Sequence, residues 1–245
     1  MTTIHEMQFS LSHMHVDCFG CARPAVLLYM MQEAAGEHCA LLNVDKEQIG
    51  NLFWAITRTR VQVTRLPRLG ETVTLKTWPM PTTRVAYPRS VVAYDAQGQE
   101  LFRSISLWVL MDEQSRTMIL PGKSNVAVEG IVTGNELAAP RAIATLETEN
   151  IRHQTVTYSL LDQNGHMNNT RYMDWVDDLL PSGFHKDHKV QEFTLCYMNE
   201  ALEQDAIDLH FDLADDGVLT VDAQRKKADS IDRIFSAQVF YGSVL

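Results

Sequence analysis

Cysteine is scarce in this chain, four in 245 residues, which excludes a scaffold built on disulfides. Long apolar runs are missing. The longest, Ala25 to Met31, has seven residues, far short of the roughly 20 that a membrane-spanning helix needs. Positive charge is in the minority, with 21 Lys and Arg against 31 Asp and Glu and a net charge of −10. That balance argues against a nucleic-acid partner, and an acidic protein partner would have to meet a local basic patch. The first residues, Met-Thr-Thr-Ile-His-Glu, lack the basic and apolar stretches of a secretion signal. The expectation is a soluble, cytoplasmic chain with no membrane span. Glycine and proline, 12 and 8 residues, are too few for low complexity, and 45% apolar residues are enough for an ordinary core.

What is present is a pattern that runs twice. Residues 8–16 alternate as a strand does, and a turn follows at Asp17–Gly20. Pro24 stands where a helix would begin, and Ala25–Leu42 is apolar on most faces, as a buried helix is. Strands are predicted at 53–66, 72–78, 84–94 and 101–111, with Asp95–Gly98 as a hairpin turn and Pro88 marking an edge or a bulge. Residues 121–149 hold Pro121, Gly122, Gly130, Gly134 and Pro140 and read as a linker. The pattern then restarts: a strand at 155–161, a turn at 162–169, a helix at 170–180, and strands at 192–197, 207–213, 218–223 and 234–241. An offset of 145 lays Asp17 over Asp162 and Gly20 over Gly165. The fold class is α+β, a sheet packed on a helix, twice over. The domains are 1–120 and 150–245, joined by 121–149.

The chemically dense segment runs from Leu160 to Trp175. Asp162, Asn164 and His166 fall at i, i+2 and i+4, and in an extended segment they would share one side. An imidazole exchanges protons near neutral pH, a carboxylate orients and charge-stabilises it, and an amide donates to a carbonyl or a water. The same residue types also build turns and cap helices, so both readings stand on these residues alone. Cys18-Phe-Gly-Cys21 has metal or redox spacing but no second pair, and His13, His15, His185 and His188 lack an evident third ligand. Met14, Met30 and Met31 read as core or as the lining of an apolar tunnel.

Asp162-x-Asn164-x-His166-x-Asn168-Asn169-x-x-Tyr172, followed by Trp175, resembles the active-site segment of plant and bacterial fatty acyl–acyl carrier protein thioesterases. Gln32-Glu33-Ala34-Ala35, Trp54-Ala-Ile-Thr-Arg58, Thr77-Trp78, Ser106-x-Trp108-Val109-x-Met111-Asp112 and Leu195-x-Tyr197-x-x-Glu200 follow the family in order. The resemblance spans roughly residues 8 to 213. It implies a tandem (double) hot-dog fold, each half an antiparallel sheet wrapped around a long helix, with the acyl chain held in the first half and catalysis in the second. It implies hydrolysis of a fatty acyl thioester by water, an acyl carrier protein as partner, no cofactor and no metal. It assigns catalysis to Asp162, Asn164, His166 and Glu200, with Glu200 polarising the water. Plant members commonly carry a cysteine at the next position, and Ala201 here excludes a cysteine nucleophile there. Arg225-Lys226-Lys227, with Arg233 nearby, is either a solvated strand end or the dock for the acidic carrier. An acyl-CoA thioesterase and a non-catalytic acyl-binding protein are the competing functions, and a homodimer remains open.

Overall fold

The structure is a computed structural model and describes residues 4–132, 134, 137–228 and 230–243. The chain divides into two units, Met1–Pro140 and Arg141–Leu245.

In the first unit β1 (His5–Ser10) precedes α1 (Pro24–Leu41), and β2 (Leu52–Val63), β3 (Thr72–Pro79), β4 (Tyr87–Tyr94), β5 (Glu100–Asp112) and the short β6 (Met118–Ile119) follow. The pairings are antiparallel, in the order β1-β3-β4-β5-β2, with β6 on β5. Pro24 occupies the first turn of α1, where its missing N–H would have had no helical partner. The helix packs on β1 and β3 and buries residues on most of its faces, among them Leu27, Leu28, Met30 and Met31. Each such large side chain contributes about 1.5–3 kcal/mol by leaving water. Met14 is exposed at 78%, so it belongs to neither core nor tunnel. The Asp95 hairpin forms as expected: its Oδ1 accepts the N–H groups of Gln97 and Gln99 at 2.9 and 2.8 Å, and Gly98 supplies the positive φ.

Three expectations are corrected here. The strand expected at 8–16 lies earlier, and a 3-10 turn occupies His13–His15. Ser12 donates its backbone N–H to His15 Nδ1 at 3.0 Å, a local bond that competes with strand pairing. The strand expected from 84 begins at Tyr87, because Thr83 Oγ1 closes a turn by accepting the Ala86 N–H at 2.9 Å. Pro88 does not mark an edge, and the one irregularity in the pairing of its strand with β5 falls further on, at Ala93/Tyr94. Pro88 is the second residue of β4, which pairs with β3 on one side and β5 on the other.

The second unit holds β7 (Ile151–Thr155), α2 (Arg171–Asp177), α3 (Ser182–Asp187), β8 (His188–Tyr197), β9 (Ala206–Leu213), β10 (Val218–Lys226) and β11 (Ile231–Ser243). Its strand order is β7-β9-β10-β11-β8. Counted from the start of each unit, that is the order of the first unit. The strand expected at 155–161 again lies earlier and is followed by a 3-10 turn at Tyr158–Leu160. The long helix expected in this half is instead two short ones, of seven and six residues, on either side of Pro181. Proline cannot donate the N–H that would carry α2 onward, and it starts α3 instead.

Candidate active site

The segment that joins β7 to α2 is a tight turn rather than an extended run. Asp162 Oδ1 accepts the backbone N–H of Asn164 at 2.8 Å and that of His166 at 3.3 Å. The Asp162 N–H donates to the His166 carbonyl at 2.8 Å, and the Gly165 N–H to the Asp162 carbonyl at 3.0 Å. Gly165 sits at φ +76°, which a side chain would disfavour. The turn is anchored next to Glu200, because the Met167 N–H donates to the Ala201 carbonyl at 2.8 Å and His166 bridges to Leu202.

This register brings His166 Nε2 to 3.3 Å from Glu200 Oε2, with side chains 26% and 43% exposed. The pair is therefore open to water. Asp162 joins the site through the backbone alone. The Asn164 side chain is exposed and makes no hydrogen bond to another described residue, so the three residues do not line up as an extended segment would place them. Asn168, a motif residue outside the catalytic set, caps the approach to α2: its Oδ1 accepts the N–H and the hydroxyl of Thr170 at 2.9 and 2.8 Å. Tyr172 projects from α2 into a ring cluster with Tyr197 and Phe235. Burial raises its phenol pKa and the Glu200 charge adds to the rise, so it stays a neutral hydroxyl.

The first unit contains the same turn without the same chemistry. Asp17 Oδ1 accepts the N–H groups of Phe19 and Cys21, each at 2.9 Å, and Gly20 sits at φ +73°. The Ala22 N–H donates to the Pro67 carbonyl at 2.7 Å, as Met167 does to Ala201. Phe19, Cys21 and Leu66 thus stand at the positions of Asn164, His166 and Glu200. The aspartate and glycine shared by both units build the turn, and the second unit alone adds an imidazole and a carboxylate, His166 and Glu200, at these positions. The 145-residue offset was the signal for the duplicated turn. The Leu66–Glu200 correspondence lies off that offset and becomes legible only from the backbone hydrogen bonds.

The basic run, open in the sequence between a strand end and a dock, is paired with carboxylates. Arg225 pairs with Asp205 and with Asp232, the latter at 2.9 Å; Lys226 pairs with Asp208 at 2.8 Å and Lys227 with Asp232 at 2.6 Å. Arg233 turns inward to the fully buried Asp222 at 2.6 Å. These cations brace β9, β10 and β11, so the run presents no net positive patch.

The first unit also holds a cavity of about 220 Å³. Ala35 and Gly36 of α1, Val44, Trp54, Tyr87 and Trp108 form most of its apolar wall. None of Met14, Met30 and Met31 lines it.

Two family models match the chain: the acyl-ACP thioesterase N-terminal domain over residues 2–120 and the acyl-ACP thioesterase C-terminal domain over residues 143–235. The chain is 26% identical over 214 residues to a chloroplastic palmitoyl-acyl carrier protein thioesterase of Gossypium hirsutum, a match covering 80% of this chain and 52% of that protein. It is 27% identical over 191 residues to a chloroplastic dodecanoyl-[acyl-carrier-protein] hydrolase of Cinnamomum camphora, covering 69% of this chain and 49% of the other. It spans about half the length of these plant relatives. Among solved structures, an acyl-ACP thioesterase from Bacteroides thetaiotaomicron superposes with a TM-score of 0.89 at 22% identity, over 98% of both chains. The 12:0-ACP thioesterase from Umbellularia californica superposes at 0.81 with 21% identity, over 98% of each chain. These likenesses identify the fold as a double hot-dog.

Proposed function

Because the chain belongs to the acyl-ACP thioesterase family, whose two domain models it matches in order, we propose that it hydrolyses fatty acyl–acyl carrier protein to free fatty acid and the carrier thiol. The observation that carries the reading is the His166–Glu200 pair, 3.3 Å apart and open to water, in the unit that alone adds an imidazole and a carboxylate to the shared turn. In this reading a water adds to the thioester carbonyl carbon while one of its protons passes to the pair. The exposed Asn164 side-chain amide receives the charge that grows on the carbonyl oxygen. When the carbon–sulfur bond breaks, the proton on the pair goes to the sulfur. Asp162 holds Asn164 and His166 in place through their amides and offsets positive charge on the imidazole. The cavity of the first unit takes the acyl chain against its apolar wall.

The test is thiol release from matched acyl carrier protein and CoA thioesters across a range of chain lengths. Carrier-bound substrates should give much the higher kcat/KM. Hydrolysis confined to CoA thioesters would sink the carrier-protein assignment, and no thiol release from any substrate would sink the enzymatic one.

A further inference from the structure

One wall of the first unit's cavity is out of character with the rest. Arg89 on β4 lines it and is only 7% exposed. Its Nη1 donates to His38 Nδ1 and to Thr77 Oγ1, each at 3.1 Å, and its Nη2 reaches Cys39 Sγ at 3.6 Å. Thr77 gives its own proton to the Ser90 carbonyl at 2.9 Å, so towards Arg89 it acts as an acceptor. His38 accepts at Nδ1 and is therefore neutral when it does so. Burial raises the Cys39 pKa above its ordinary value despite the guanidinium beside it, which keeps the sulfur a thiol. Every partner of this buried cation is thus uncharged, and among the described residues no carboxylate pairs with it. Two charged neighbours share the cavity wall, Asp45 near enough for its charge to act on Cys39, and neither is hydrogen-bonded to Arg89. Asp45 uses Oδ1 to accept the N–H groups of Glu47 and Gln48, and Lys46 pairs with Glu113.

A guanidinium withdrawn from water and left without a counter-ion is unfavourable, and it is relieved by an anion that brings apolar surface with it. A carboxylate matches the planar fork of donors, and an aliphatic chain matches the remaining wall. A volume of about 220 Å³ lies below the roughly 300–1,000 Å³ of drug-sized sites and suits a short chain. We propose that this cavity is a binding site for an aliphatic carboxylate, with the carboxylate on Arg89 and the chain against Trp54, Tyr87 and Trp108. The proposal rests on the reading of the cavity as an acyl-chain site and adds a charged end to it. The carboxylate can come from a free fatty acid or from the far end of a dicarboxylic acyl chain.

Octanoate and 1-octanol are the probes, titrated calorimetrically into the wild-type protein, Arg89→Met and His166→Ala. Octanoate should bind wild type and His166→Ala alike and weaken by about tenfold or more in Arg89→Met, as expected for a charged hydrogen bond. The alcohol should change by less than about twofold, because it uses the wall and not the charge. Independently of any variant, the carboxyl carbon of bound [1-¹³C]octanoate should stay ionised at pH values where free octanoate is protonated. Equal octanoate affinity in wild type and Arg89→Met, an ordinary titration of the bound carboxyl, or loss of octanoate binding in His166→Ala would each overturn the proposal. Failure of both probes on wild type would overturn it together with the acyl-chain reading, whereas equal binding of both probes to both proteins would overturn the charge alone. Comparing hydrolysis of the octanoyl and the mono-octanedioyl thioesters of pantetheine separates the two sources: a preference for the diacid assigns the site to substrate, and its absence, with octanoate bound, assigns it to free acid.

Discussion

His166→Ala and Glu200→Ala should keep the fold and lose roughly 10²–10⁴ in kcat with carrier-bound substrate, the usual range for a proton-transfer group. Full activity in either variant removes that residue from the mechanism. The duplicated turn supplies a sharper pair of variants. Asp17→Ala and Asp162→Ala each delete a carboxylate that accepts two backbone N–H groups. Both should lower stability by about 1–2 kcal/mol, but only the second should abolish hydrolysis. Urea titration and a thiol-release assay on the two proteins check this, and loss of hydrolysis in Asp17→Ala would contradict it. Arg233 belongs to the same scale. Its partner Asp222 is fully buried, so Arg233→Met should cost about 3–5 kcal/mol by leaving that carboxylate with the Gln224 hydrogen bond but no counter-charge.

At the scale of elements, the hairpin between β9 and β10 depends on one glycine. Gly217 lies at φ +82°, and a Cβ there would come within 2.6 Å of the Tyr241 carbonyl oxygen on β11. Gly217→Ala should therefore destabilise by about 1–3 kcal/mol, read as a lowered Tm with β-sheet circular dichroism otherwise retained. An unchanged Tm would mean the three-strand arrangement is looser than described. The strands were legible in the sequence because apolar residues alternate through them, and α1 because apolar residues surround it. The misreadings have local causes. Both first strands lie earlier than the apolar pattern suggests, because Leu11 and Val156 carry the pattern and the cross-strand bonding one residue past each strand before the chain turns off at His13 and Tyr158. The second-half helix looked continuous because Trp175, Val176 and Leu179 prolong one stripe up to Pro181.

For the whole molecule, charge is the variable that joins stability to function. Asp208 and Asp232 are held below the ordinary aspartate range, each chiefly by the side-chain hydrogen bond from its lysine, Lys226 and Lys227 respectively. A depressed folded-state pKa contributes stability that is complete above the unfolded value, about pH 4, and is lost as pH falls through the folded value. Reversing Lys226 and Lys227 should accordingly lower Tm at neutral pH and shrink the loss of stability on acidification. It should leave KM for carrier-bound substrate unchanged, because those charges are already spent. A rise in KM specific to carrier-bound substrate would restore the run as the dock. With a net charge of −10, encounter with an acidic carrier should speed up as salt screens repulsion between about 0.01 and 0.15 M, while a small pantetheine thioester is unaffected. A fall in kcat/KM over that range would reveal an attractive dock elsewhere, with Lys123, Arg141, Lys186 and Lys189 as the residues to reverse.

Residue type and short spacing are enough to read the repeated element order, the buried first helix and the identity of the groups able to move protons. The family motif carried Glu200 into the same set across 34 residues from His166. It takes the folded chain to see that Asp162 acts through two backbone amides, that Leu66 is the counterpart of Glu200, and that the basic run is cancelled by Asp205, Asp208 and Asp232. The fold alone buries Arg89 among uncharged partners. Those outcomes depend on which strands pair and in what register, and a one-residue slip would redirect every side chain involved.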